Sequence, residues 1–85
     1  WYRRAALAGD AAAQRNLGNL YEAGTGVTQD NLLAYGWYHF AAEQGNEAAG
    51  HYIVAMTGEL TPNQIMQARE MVRRELQAHA SAADD

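Results

Sequence analysis

Two thirteen-residue stretches of this chain are close copies of one another. WYRRAALAGDAAA at residues 1–13 and WYHFAAEQGNEAA at residues 37–49 align at an offset of 36. The identities are Trp1/Trp37, Tyr2/Tyr38, Ala5/Ala41, Ala6/Ala42, Gly9/Gly45, Ala12/Ala48 and Ala13/Ala49, with Asp10/Asn46 a chemically similar pair. Coincidence in an alanine-rich chain could align the alanines, but not a Trp-Tyr pair and a glycine in the same register. A period of this size is the mark of stacked supersecondary units, each burying the apolar face of its neighbour. It accommodates two helices of about a dozen residues with two short connections.

The punctuation agrees with that reading. Gly9-Asp10 and Gly45-Asn46 each join a glycine able to end one helix in the left-handed conformation to a side chain able to cap the next. Gly24-Thr25-Gly26-Val27 reads as a turn, and Asp30 as an N-cap beyond it. Thr61-Pro62-Asn63-Gln64 has the form of a capping box with proline at the first helical position. These signals predict five helical segments, at about 1–8, 11–23, 31–44, 47–57 and 62–79, each with helical spacing of its apolar residues. No stretch alternates with period two, so the expected class is all-α.

Composition narrows the function. The chain has 85 residues, enough for one modest core, and its 48% apolar content is rich in alanine. Trp37 and Tyr38 therefore supply most of the area per repeat, on the order of 150–250 Å² each. At roughly 25 cal/mol/Å² that is several kcal/mol before entropy is subtracted. A lone hairpin leaves such a surface open, and neighbouring units must cover it. Cysteine is absent, which excludes disulfides and thiolate metal sites. A net charge of −4 argues against nucleic acid as partner. No apolar run approaches the roughly 18 residues of a membrane span. All six basic residues are Arg, which with the alanine content points to a GC-rich bacterial genome; periplasm and cytoplasm both remain open. Trp1 and Tyr2 read as an artificial or proteolytic boundary, so further repeats are expected before them. Residues 1–8, half a hairpin, would then leave an apolar face through which the chain self-associates.

The run from Ala13 to Ala49 resembles the Sel-one-like repeat, a relative of the tetratricopeptide repeat. The features that carry the resemblance are Ala13, Leu17-Gly18, Tyr21, Gly24, Gly26-Val27, Asp30, Ala34, Trp37-Tyr38, Ala41-Ala42, Gly45 and Ala49. The resemblance implies an α/α superhelix of antiparallel helix pairs. It divides the chain into the end of a preceding repeat (1–10), one complete repeat (11–46), the first helix of a degenerate repeat (47–57) and a C-terminal capping helix (62–79). Residues 80–85 are expected to be an unordered tail. The pattern departs after residue 49: Val54 stands where Gly18 stood, Thr57 replaces Tyr21, and no Gly-x-Gly-Val turn follows. Gly18 is expected to admit a neighbouring backbone, and Phe40 to pack against Val72 or Leu76.

Several motifs invite a chemical reading and fail on context. Gly24-Thr25-Gly26 lacks the Gly-Lys-Ser/Thr ending and the preceding strand of a phosphate loop, so it reads as a structural turn. His39/Glu43 and Glu47/His51 are spaced i,i+4, yet Gly45-Asn46 breaks the helix between them; both histidines are expected at the surface, with no metal. Glu22, Glu43, Glu47 and Glu59 are scattered over expected exposed positions, and Ser81, the only serine, lies near the end of the chain. No catalytic constellation emerges, and no cofactor is expected. Arg69, Arg73 and Arg74 with Glu70 and Glu75 form a solvated face, the alternative being an anionic docking stripe.

By resemblance, the first helix of each pair lines the concave surface. Positions there that packing does not require are Arg15, Asn16, Asn19 and Glu22, with His51 and Tyr52 their counterparts one repeat on. Arg and Tyr are frequent binding hot spots. The expected function is a noncatalytic scaffold or adaptor holding a protein or peptide partner in this groove. The alternatives are a regulatory module of a larger enzyme, or an immunity or inhibitor protein.

Overall fold

The computed structural model describes residues 2–83, and the side chains of residues 3–80. Five helices follow in order: α1 (Tyr2–Leu7), α2 (Ala11–Ala23), α3 (Asn31–Glu43), α4 (Glu47–Thr57) and α5 (Pro62–Ala83). No strand occurs among the described residues. The fold is an all-α helical repeat.

The two glycine turns are the same structure used twice. Gly9 and Gly45 have φ of 101° and 92°, the left-handed region that costs glycine little. In the first turn the Gly9 and Asp10 N–H groups donate to Ala6 O and Ala5 O at 3.1 Å each. In the second, Gly45 and Asn46 donate to Ala42 O and Ala41 O at 2.9 and 3.2 Å. The next helix is then capped alike: Asp10 Oδ1 accepts from the Ala13 N–H at 3.0 Å, and Asn46 Oδ1 from the Ala49 N–H at 2.9 Å. Chemical similarity of Asp and Asn at this place thus has a physical reason, because the cap needs only the acceptor oxygen. Trp1 and the Tyr2 side chain lie outside the described residues, so the equivalence of the two chain segments rests here on their turns and caps.

Asp30 caps α3 by accepting from the Leu32 and Leu33 N–H groups, and its own N–H returns to Tyr21 O, tying the Gly24–Gly26 loop onto α2. The capping box opening α5 is complete. The Thr61 N–H donates to Gln64 Oε1 at 2.9 Å and the Gln64 N–H to Thr61 Oγ1 at 3.1 Å. α5 outruns the expected end at residue 79: the stretch anticipated as an unordered tail at 80–85 is helical through Ala83, and Asp84 and Asp85 lie outside the described residues. Its sequence through this region, Ala-Ser-Ala-Ala, contains no glycine or proline to stop it.

Helix α3 is the hub, packing against α2, α4 and α5. Its Ala34, Trp37, Tyr38 and Ala41 are completely buried. Two of its residues, Gly36 and Tyr38, point about 200° apart on a helix of 3.6 residues per turn. Tyr38 faces α2, where its ring occupies the space a Cβ at Gly18 would take, 2.6 Å from that position. The role anticipated for Gly18 is therefore corrected: it admits an aromatic ring and not a backbone. The close backbone approach belongs to Gly36, where a Cβ would stand 2.5 Å from both Ala68 O and Val72 Cγ2 of α5. α5 packs along α3 rather than along α4, its predecessor in the chain, and also reaches α1.

A buried glutamine ties the first three helices together. Gln14 on α2, only 2% exposed, donates from Nε2 to Ala6 O at 3.0 Å and accepts at Oε1 from Gln44 Nε2 at 2.7 Å. Both of its amide ends are thereby satisfied, as burial of a polar group demands.

Candidate functional site

The expected groove residues meet around one aromatic side chain. The Tyr38 hydroxyl lies 2.6 Å from Asn19 Oδ1 and 3.0 Å from Glu22 Oε1, its single proton shared between acceptors one helical turn apart on α2. On the opposite side Tyr52 of α4 stacks on the Tyr38 ring, with centroids 4.8 Å apart and planes inclined by 20°. Such a pair contributes about 0.5–1.5 kcal/mol beyond the area it buries. Burial pushes the Tyr38 phenol well above its ordinary pKa, and the hydrogen bond to Glu22 pushes the same way. The hydroxyl is therefore a fixed, neutral donor.

Of the six expected positions, Asn19, Glu22 and Tyr52 converge on Tyr38, and Arg15 stands close enough for its charge to act on the phenol. Arg15 donates from Nη2 to Asn16 Oδ1 at 3.0 Å, while its buried Nε has no acceptor among the described residues. Glu22 and His51 are exposed; Arg15, Asn16, Asn19 and Tyr52 are partly buried. No hydrogen bond or ring contact draws His51 into the cluster among the described residues. Sequence reasoning missed the organiser. Tyr38 is prominent in the repeat as a core residue, and nothing in its spacing tells that its buried hydroxyl reaches two acceptors on α2.

A second concave region lies between α3 and α5. His39, Phe40 and Glu43 form one wall, and Met66, Arg69, Glu70 and Arg73 the other, around a cleft of about 430 Å³. His39 was expected in solvent, but its side chain is 18% exposed, because α5 covers it. Its Nε2 lies 3.2 Å from Glu43 Oε1. Burial pushes its pKa down, and the Arg69 charge adds to that, against the opposing pull of Glu43. Phe40 is half-buried against the core. Of its two anticipated partners, Val72 belongs to that core and also closes onto Gly36, and Leu76 is packed against the same core. Glu70 is held by Arg73 and by Arg74, the latter at 3.5 Å, and hydrogen bonding from Arg73 keeps its carboxyl below the ordinary range.

Elsewhere, Arg3 links three helices: it donates to the Tyr21 hydroxyl at 2.9 Å and to Glu75 Oε1 at 2.7 Å. Among the described residues no group of three or more His, Asp or Glu side chains is arranged to hold a metal. Among the described residues no helix is long and apolar enough to cross a membrane. The remaining expected carboxylates, Glu47 and Glu59, are exposed and separate.

Helical hairpins joined by one glycine turn used twice, with a long helix packed along α3, define a class: the α-helical repeat proteins. The chain matches the family model described as Sel1 repeat, at residues 1–10 and 11–46, just over half its length. It belongs to the Sel1 repeat family. Repeats of this family are generally protein–protein interaction modules, typically without catalytic activity. No curated protein and no solved structure shows significant similarity to the chain.

Proposed function

We propose that this chain is a noncatalytic adaptor that holds a protein or peptide partner on the surface formed by α2 and α4. The reading is carried by one observation: Tyr38, itself fully buried, locks Asn19 and Glu22 of one helix and Tyr52 of the next into a single cluster at the α2–α4 surface. Side chains already fixed in position lose little freedom when a partner arrives, which is the general advantage of a preorganised interface. Arg15 and Asn16 extend the patch along α2, and His51 borders it on α4. An extended peptide offers the alternating donors and acceptors that Asn16, Asn19 and Glu22 can satisfy, while Arg15 selects for acidic character.

Arg15→Ala and Asn16→Ala are the informative substitutions, because neither supports Tyr38 directly. Affinity capture from the source organism's extract would compare the double variant with wild type and with Arg74→Ala on α5. Loss of specific partners from the Arg15/Asn16 variant alone is the expected result. Equal recovery of every partner by all three proteins would remove the α2–α4 surface from consideration.

A further inference from the structure

The cleft between α3 and α5 is on the other side of α3 from the Tyr38 patch, and its chemistry is distinct. Both carboxylates that line it are already engaged, Glu43 by His39 and Glu70 by Arg73 and Arg74. Arg69, exposed, makes no hydrogen bond or ion pair among the described residues. Beside it the wall is apolar: Phe40 from α3, and Met66 from α5, which is 66% exposed. A volume of about 430 Å³ falls within the size range of small-ligand pockets.

We propose that this cleft binds the C-terminal residue of a polypeptide that ends in an apolar side chain, with the terminal carboxylate on Arg69 and the side chain between Phe40 and Met66. Met66 and Arg69 are i,i+3 neighbours on one face of α5, their Cβ atoms about 5–6 Å apart. An α-carboxylate and an apolar side chain carried on one Cα can therefore meet both residues. Guanidinium and carboxylate pair through two parallel hydrogen bonds, which makes Arg69 a directional anchor. A free amino acid fits less well. Its ammonium group would sit among Arg69 and Arg73 with no unengaged carboxylate to receive it, whereas a peptide bond at that nitrogen carries no charge. The open side of the cleft, where Met66 and Arg69 are exposed, leaves room for the rest of a chain to lead away.

The test is a titration of the isotopically labelled chain followed by amide chemical shifts, with acetyl-Gly-Gly-Leu as free acid, the same peptide as its C-terminal amide, and free leucine. The acid is expected to give saturable shifts at Phe40, Met66 and Arg69, and the amide and free leucine to bind at least about tenfold more weakly, a difference of about 1.4 kcal/mol. Arg69→Gln should weaken the acid by a similar factor, and Arg4→Gln, which replaces an exposed arginine of α1 outside the cleft, should not. Absence of saturable shifts with the acid, equal binding of acid and amide, or wild-type affinity in Arg69→Gln would each overturn the assignment. None of these results bears on capture through the α2–α4 surface, which is read in a separate experiment.

Discussion

On one side of α3, the Tyr38 ring fills the space left open by Gly18 of α2; on the other, Gly36 lets the backbone of α5 come into contact. Both are contacts made through a missing Cβ, yet they do different work. The ring contact leaves a buried hydroxyl that holds Asn19 and Glu22, while the ring itself stacks on Tyr52. Its aromatic is repeated in the chain, at Tyr2 and Tyr38, but its glycine is not, since Val54 stands one period after Gly18. The backbone contact leaves nothing over. Ala68 and Val72 lie flat against Gly36, both fully buried, and α5 occupies that face of the stack. One contact holds a polar cluster in place, and the other closes a face of the stack.

The difference has energetic consequences that substitutions can expose. Adding a methyl at Gly36 forces it against a peptide carbonyl that belongs to a continuous helix and has no rotamer to retreat into. Overpacking of this kind costs typically 1–3 kcal/mol, and alanine's better helix propensity returns about 1 kcal/mol. Against unyielding backbone the upper end of that range applies, so Gly36→Ala should destabilise by about 2 kcal/mol in urea unfolding, with faster amide exchange concentrated in α5. Gly18→Ala meets a side chain, which yields more readily than backbone, so a net loss of about 1 kcal/mol is expected. Its signature should be displacement of Tyr38 and Tyr52 resonances. If Gly18→Ala proved the more damaging of the two, the distinction between a yielding ring and an unyielding backbone would be wrong.

How far these two contacts could be read in advance differs for the same reason. Whatever recurs is legible: Gly9 and Gly45, the caps Asp10 and Asn46, and the Trp37-Tyr38 pair all announce themselves through the offset of 36. The capping box of α5 is legible too, because Thr61 and Gln64 act within one turn of chain. Gly36 has no counterpart within the chain one period earlier, and one period later stands Val72, the residue that covers it. A contact between a repeat and a non-repeating helix leaves no periodic trace. The candidate surface was legible at the level of helix face. Asn19 and Glu22 stood out as positions free of packing, but the hydroxyl that engages them comes from a residue marked only as core. Gln14 was hidden for a related reason: its partners, a backbone carbonyl of α1 and the Gln44 side chain, have no signature in spacing.

Tyr38→Phe separates the two functions of the ring, its bulk and its hydroxyl. The packing into Gly18 and the stack on Tyr52 remain, and one shared hydrogen bond is lost, worth about 0.5–1.5 kcal/mol. Because Glu22 is exposed and water can replace the lost donor, the lower half of that range is expected. Asn19 and Glu22 should gain rotamer freedom, visible as side-chain relaxation, while the α3–α5 side stays unchanged. A variant that unfolded outright would mean that the hydroxyl supports the core itself and not only the surface above it.

Acid should distinguish the two sides with the smallest effect of the four. On the Tyr38 side the phenol's pKa is raised, so the group stays protonated through neutral and acidic pH and contributes no titration there. On the α5 side stands His39, with Glu43 on its own helix and Arg69, Glu70 and Arg73 around the same cleft. Burial above all, with help from Arg69, holds its pKa below the ordinary histidine value of about 6.5. A base depressed in the folded state binds fewer protons there than in the unfolded chain. Stability is then complete above about pH 6.5 and declines as pH falls towards the depressed value, below which the loss is constant. Urea midpoints measured from about pH 7.5 to pH 5 should fall for the wild type and fall less for His39→Gln, which cannot take up the proton. Parallel decline in the two proteins would place the acid sensitivity elsewhere and leave the two sides of α3 alike in this respect.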